Sequence, residues 1–82
     1  MKNNIYILFN KIALRYGDVI NYPTDQFAVN RLKKIMENPD SGILREETML
    51  FRIGSVDLEN GFLTTENSPV PIPFDVKEAE ID

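Results

Sequence analysis

The sequence predicts a small α+β domain in the order β-β-α-β-β, a mainly antiparallel sheet packed on one helix, with a Pro-rich C-terminal arm. Three observations lead there. Apolar, β-branched and aromatic runs of strand length stand at residues 5–9, 14–22 and 48–53. A single stretch, residues 24–37, carries helical periodicity. The 82-residue chain is 43% hydrophobic and 27% charged, a composition that suits one globular domain and not a disordered chain. The expected organisation is one α+β domain over residues 1–66, followed by a Pro-rich arm and acidic tail over 67–82.

The first run, Ile5-Tyr6-Ile7-Leu8-Phe9, is apolar at every position, which fits a central strand covered on both faces. Asn10 and Lys11 break it. The second strand is expected over residues 14–22, interrupted at Gly17-Asp18, a dipeptide suited to a turn or bulge. The helix starts at Pro23-Thr24-Asp25: Thr24 can cap the first turn, and Asp25 sits where the helix dipole favours negative charge. Ala28, Val29, Leu32, Ile35 and Met36 form one stripe, with Asn30, Lys33, Lys34 and Glu37 on the opposite side. Phe27 lies off the stripe, placed to cover a sheet edge or to pack on Tyr22. Asn38-Pro39 ends the helix, because proline disfavours the α conformation in the residue before it.

A loop opens at Pro39. The third strand has Met49, Phe51 and Ile53 on one face, and Gly54 ends or kinks it. Residues 57–61 supply a hairpin turn, whose Asn60-Gly61 tolerates positive φ, and residues 62–65 return as the partner strand. Pro69, Pro71 and Pro73 cannot donate ladder hydrogen bonds, so residues 69–73 read as an extended edge segment or a polyproline II arm.

Composition excludes several functions. With no cysteine there is neither a disulfide framework nor a thiolate metal site, and with no histidine the usual general base is missing. The common nucleophile–base pairs are therefore absent. The four glycines, at 17, 42, 54 and 61, are too dispersed for a phosphate-cradling loop. No catalytic residue, metal site or cofactor is expected, and the chain is read as a non-enzyme. Nothing approaches a membrane span of about 18 apolar residues, and the N-terminus lacks the layout of a signal peptide. A soluble intracellular domain is expected.

Binding is what remains. The net charge of −4 is uneven: residues 1–36 hold six bases against two acids, and residues 37–82 hold three bases against eleven acids. Arg31, Lys33 and Lys34 give the helix a basic flank. Tyr6, Tyr16 and Tyr22 lie on or beside expected strands, with Arg15 and Arg52 nearby. Cations interleaved with aromatics on a sheet suit single-stranded nucleic acid, because bases stack on rings while cations follow phosphates. These eight residues are the candidate contacts. The bland alternative assigns the aromatics to the core and the charges to a solvated face.

The stretch Leu50-Phe51-Arg52-Ile53-Gly54-Ser55-Val56-Asp57-Leu58-Glu59-Asn60-Gly61 resembles the small non-structural protein of gokushoviruses, single-stranded-DNA phages of the microvirus group. That family has an aliphatic-aromatic-basic-aliphatic-Gly strand, then an Asp, then a turn glycine. Thr24-Asp25-Gln26-Phe27-Ala28 is similar to its Thr-Asp-x-x-Ala helix start, and residues 5–9 occupy the place of its opening strand. The resemblance covers residues 3–63. One departure stands out: the family commonly has Arg two residues after the helix alanine, where this chain has Asn30, with Arg31 next.

The resemblance implies a phage accessory protein in the host bacterial cytoplasm, associated with viral single-stranded DNA synthesis or packaging, beside a phage or host replication protein. A homodimer is expected, since an open sheet of few strands leaves edges that a second copy can cover. The alternative is a protein-interaction module, scaffold-like or host-directed, working through residues 69–73 and the acidic tail.

Overall fold

The computed structural model describes residues 1–74, and the acidic tail lies outside them. The elements are β1 (Lys2–Asn10), β2 (Arg15–Tyr22), α1 (Asp25–Glu37), β3 (Thr48–Asp57) and β4 (Leu63–Ile72), with short 3-10 turns at Pro39–Ser41 and Arg45–Glu47 between α1 and β3. The four strands form one antiparallel sheet in the order β2-β1-β3-β4. The α+β class, the four-stranded antiparallel sheet and the single helix agree with the sequence reading.

Local chemistry explains the helix from end to end. The Thr24 hydroxyl accepts the Phe27 backbone N–H at 3.1 Å, and Asn38 leaves the helical conformation just before Pro39. The apolar stripe meets the sheet. Ala28, Val29 and Leu32 join Tyr6, Leu50 and Ile72 as the buried core, while Ile35 and Met36 pack against it. Each large member contributes about 1.5–3 kcal/mol by leaving water.

The helix covers one face of the sheet. β1 is central, between β2 and β3, yet it is not covered on both sides as its continuous apolar run suggests. Tyr6 and Leu8 turn toward the core, whereas Ile5, Ile7 and Phe9 neither enter the core nor pack against it. Strand alternation makes the division: successive side chains point to opposite faces.

Two irregularities shape the sheet. The β1–β2 register shifts between Ile7 and Phe9, leaving Gly17 and Asp18 together opposite Leu8. On β3 the register passes from Tyr6↔Arg52 to Ile5↔Gly54, with Ile53 as the extra residue. Gly54 thus kinks β3 without ending it. A Cβ at Gly54 would run into the Thr64 carbonyl oxygen, so this close approach of β3 and β4 requires glycine.

β4 is longer than the sequence suggested. It continues through Pro69 and Pro71 to Ile72, which is buried in the core, so of the two readings of the proline stretch the extended edge segment describes Pro69 to Ile72. The register jumps from Gly54↔Thr65 to Arg52↔Val70, so residues 66–69 bow out opposite Ile53. The turn before β4 has Gly61 at φ 77°, as expected of its glycine.

Candidate nucleic-acid interface

The helix cations come first. Arg31 and Lys34 lie one turn apart and are exposed, and Lys33 is half-buried beside Met36 and Glu37. None of the three makes an ion pair among the described residues. They remain available to an anion.

Arg52 is different. Its Nη1 donates to Asp25 Oδ2 at 2.6 Å and its Nε to Glu66 Oε2 at 3.1 Å, so both edges of the guanidinium already serve carboxylates. Burial opposes its charge, but the hydrogen bond to Glu66 and the nearby Asp25 more than offset this and raise its pKa. Arg52 is a clamp between β3, β4 and the start of α1, not a phosphate contact.

The same carboxylate organises Tyr6. The phenol donates to Asp25 Oδ1 at 2.6 Å, and the Asn4 side-chain amide donates to both groups at 3.2 Å. Burial, followed by the hydrogen bond to Asp25, pushes the Tyr6 pKa well above the usual tyrosine value. Its ring is fully buried. A base cannot stack on it, so Tyr6 leaves the list of contacts. Tyr22 is half-buried against Phe27, at 5.4 Å between ring centroids, with Tyr6 at 6.5 Å. Phe27 therefore packs on Tyr22, one of its two expected positions.

Tyr16 alone among the three tyrosines presents much of its ring, at 49% exposure. It closes an aromatic triad with Phe9 and Phe51, at centroid separations of 4.9 and 5.9 Å, and Phe9 and Phe51 are 6.3 Å apart. Residue types had not marked Phe9 as a candidate; only its register against Tyr16 brings the rings together. Arg15 borders a cleft of about 230 Å³ that also holds Asp18 and Glu47.

The eight candidates therefore do not converge. Arg31, Lys33 and Lys34 stand on the helix layer, Tyr16 stands on the far face of the sheet, and Tyr6 and Arg52 are structural. Asp25, read from sequence as a dipole partner, is in addition the hub that joins α1 to β1 and β3. Among the described residues no three metal-ligating side chains cluster, and no helix is long and apolar enough to cross a membrane. No family model, curated protein or solved structure matches this chain.

Proposed function

We propose that the protein is a non-enzymatic phage accessory protein that associates with single-stranded DNA during viral genome synthesis or packaging, through the outer side of α1. The observation that carries this reading is a cluster of three helix cations, Arg31, Lys33 and Lys34, without carboxylate partners among the described residues of an acidic chain. The similarity of the helix start and the β3 hairpin to gokushovirus non-structural proteins supports the phage context. The rival reading, an interaction module working through the proline segment and the acidic tail, loses part of its surface, because Pro69 and Pro71 belong to β4.

Contacts through a few cations are weak and sensitive to salt. For single strands the logarithm of affinity falls by about 0.7 per phosphate neutralised for each decade of salt, so three contacts give a slope of about −2. Fluorescence anisotropy of a labelled oligonucleotide at low salt tests this. The double variant Lys33→Glu, Lys34→Glu is expected to abolish the signal while the circular dichroism spectrum is kept. Absence of binding by the unaltered protein at low salt overturns the reading.

A further inference from the structure

Among the described residues, the strands place no charged side chain on the sheet face away from the helix. Register places Asn3, Ile5, Ile7 and Phe9 of β1 there, with Asn21, Val19 and Tyr16 opposite them on β2 and Phe51 and Met49 opposite Ile7 and Phe9 on β3. The Asn3 amide donates to Asn21 Oδ1 at 2.8 Å, which confirms that these two share a side. The charged strand residues fall elsewhere. Arg52 and Glu66 meet the helix start through Asp25, and Lys2 is paired with Asp57 at the alternate parity. Arg15 pairs with Asn10 at that same parity, and Asp18 sits opposite Leu8, which packs on the core. The result is a band of aliphatic and aromatic side chains with amides at one end.

We propose that this face is covered by the same face of a second copy, giving a dimer layered helix, sheet, sheet, helix. Three observations single out that occupant. An uncharged face is compatible with itself, because no like charges meet when two identical surfaces stack, and it has no cation to meet nucleic-acid phosphates or anionic lipid headgroups. The area suffices: strands of 8 to 10 residues, at about 3.3 Å per residue and four abreast at about 4.8 Å, give a face of roughly 500 Å². Two such faces remove at least roughly 1,000 Å² from water, the lower bound for a specific interface. Finally, the fold needs the cover. Among the described residues only six hydrophobic ones form the buried core, the chain has no cysteine, and small domains of this kind gain stability by associating.

Edge-to-edge pairing, the arrangement expected from the open sheet, is the poorer route. One edge, β4, has Pro69 and Pro71 without N–H groups and bows out over residues 66–69, and the other, β2, is bulged at Gly17-Asp18. Face-to-face packing uses neither edge, and it sets both basic helices on the outside of the dimer.

Sedimentation equilibrium of the unaltered protein at micromolar concentration is expected to give twice the 9.4 kDa chain mass. Val19→Lys places an ammonium in the middle of the face at a residue 59% exposed in the single chain, so the monomer tolerates it. Its dimer dissociation constant is expected to rise on the order of 100-fold, because an unpaired charge becomes buried. Lys33→Glu with Lys34→Glu should leave the dimer intact, so loss of DNA binding and loss of dimer are separately visible. An independent readout needs no variant: the methyl groups of Ile5, Ile7 and Val19 should be shielded from a soluble paramagnetic agent that reaches Ile12 and Leu14. A monomeric mass overturns the proposal, and binding of that monomer to anionic vesicles would assign the face to a membrane instead. A dimer that survives Val19→Lys, or methyls as accessible as Ile12, overturns it equally.

Discussion

The two faces of this sheet are built from the same four strands, often from adjacent residues, yet they differ in chemistry. On the helix side, Tyr6, Leu50 and Ile72 are buried, and Arg52, Glu66 and Asp25 form a connected charged cluster around the Tyr6 hydroxyl. On the other side Ile7, Phe9, Tyr16 and Phe51 stand without a charged residue beside them on that face of the described strands. The difference shows what each face has already found. A charge near a protein interior needs an opposite charge and hydrogen bonds, and the helix side supplies both within the chain. The aliphatic and aromatic band of the open face has no such internal partner; its free energy is gained only when another surface removes it from water.

The sharpest way to break this comparison is to truncate two neighbouring residues that point in opposite directions. Leu50 is 1% exposed under the helix, and Phe51 follows it on the open face. Leu50→Ala is expected to lower the free energy of unfolding by about 3–4 kcal/mol, since it removes buried methyl groups and leaves a cavity. That loss should be the same at every protein concentration. Phe51→Ala should behave otherwise, with a loss that shrinks as the protein is diluted below the dimer dissociation constant. Urea titrations at two concentrations decide it. Equal, concentration-independent losses would mean that the open face meets no second copy.

A smaller effect sharpens the account of the helix side. Tyr6→Phe keeps the ring but deletes the hydrogen bond to Asp25, and a hydrogen bond to a charged group contributes about 1.5–3 kcal/mol. It also changes the pH dependence. The folded state holds the Tyr6 proton to higher pH than the unfolded chain, whose tyrosines ionise near pH 10. Unfolding therefore releases a proton above about pH 10, and stability that is fully present below that pH declines as pH rises beyond it. In Tyr6→Phe this part of the alkaline decline should vanish. An unchanged alkaline limb in thermal melts would show that Tyr6 is not the group responsible.

How much of this was legible depended on the range of the interaction. The helix was readable from cap to cap because its signals are local: Thr24 at the start, Pro39 beyond the end, and a stripe spaced within thirteen residues. The sheet was readable as strands but not as faces. Residues 5–9 are apolar at every position, so alternation alone cannot say that Tyr6 faces the helix while Ile5 and Ile7 do not. The role of Arg52 was hidden for a related reason: its partners Asp25 and Glu66 lie 27 and 14 residues away and meet it only when α1 and β4 pack beside β3. The length of β4 was hidden by its prolines, which argue against a central strand yet are tolerated at an edge. The Tyr16 triad required the bulge at Gly17-Asp18, which resets the register by one residue and turns Tyr16 toward Phe9.

The smallest expected effect serves as the control, because it lies on neither face. Between β1 and β2 the chain turns tightly: Asn10 Oδ1 accepts the backbone N–H groups of Ile12 and Ala13, and the Leu14 N–H donates to the Asn10 carbonyl. The turn closes with Leu14 at φ 57°, in the left-handed region, the residue being 75% exposed. A side chain with a Cβ costs about 1–2 kcal/mol in that conformation. Leu14→Gly relieves the cost, while the greater freedom of glycine in the unfolded chain takes back about 0.4–1 kcal/mol. A net gain of about 0.5–1 kcal/mol follows, equivalent to a few degrees in Tm for a domain of this size. Since Leu14 touches neither the core nor the uncharged face, that gain should be independent of protein concentration and additive with Phe51→Ala. A Leu14→Gly protein that melts lower than the parent would mean that the leucine side chain makes a contact outweighing its backbone strain, and the turn would then have to be counted with one of the two faces.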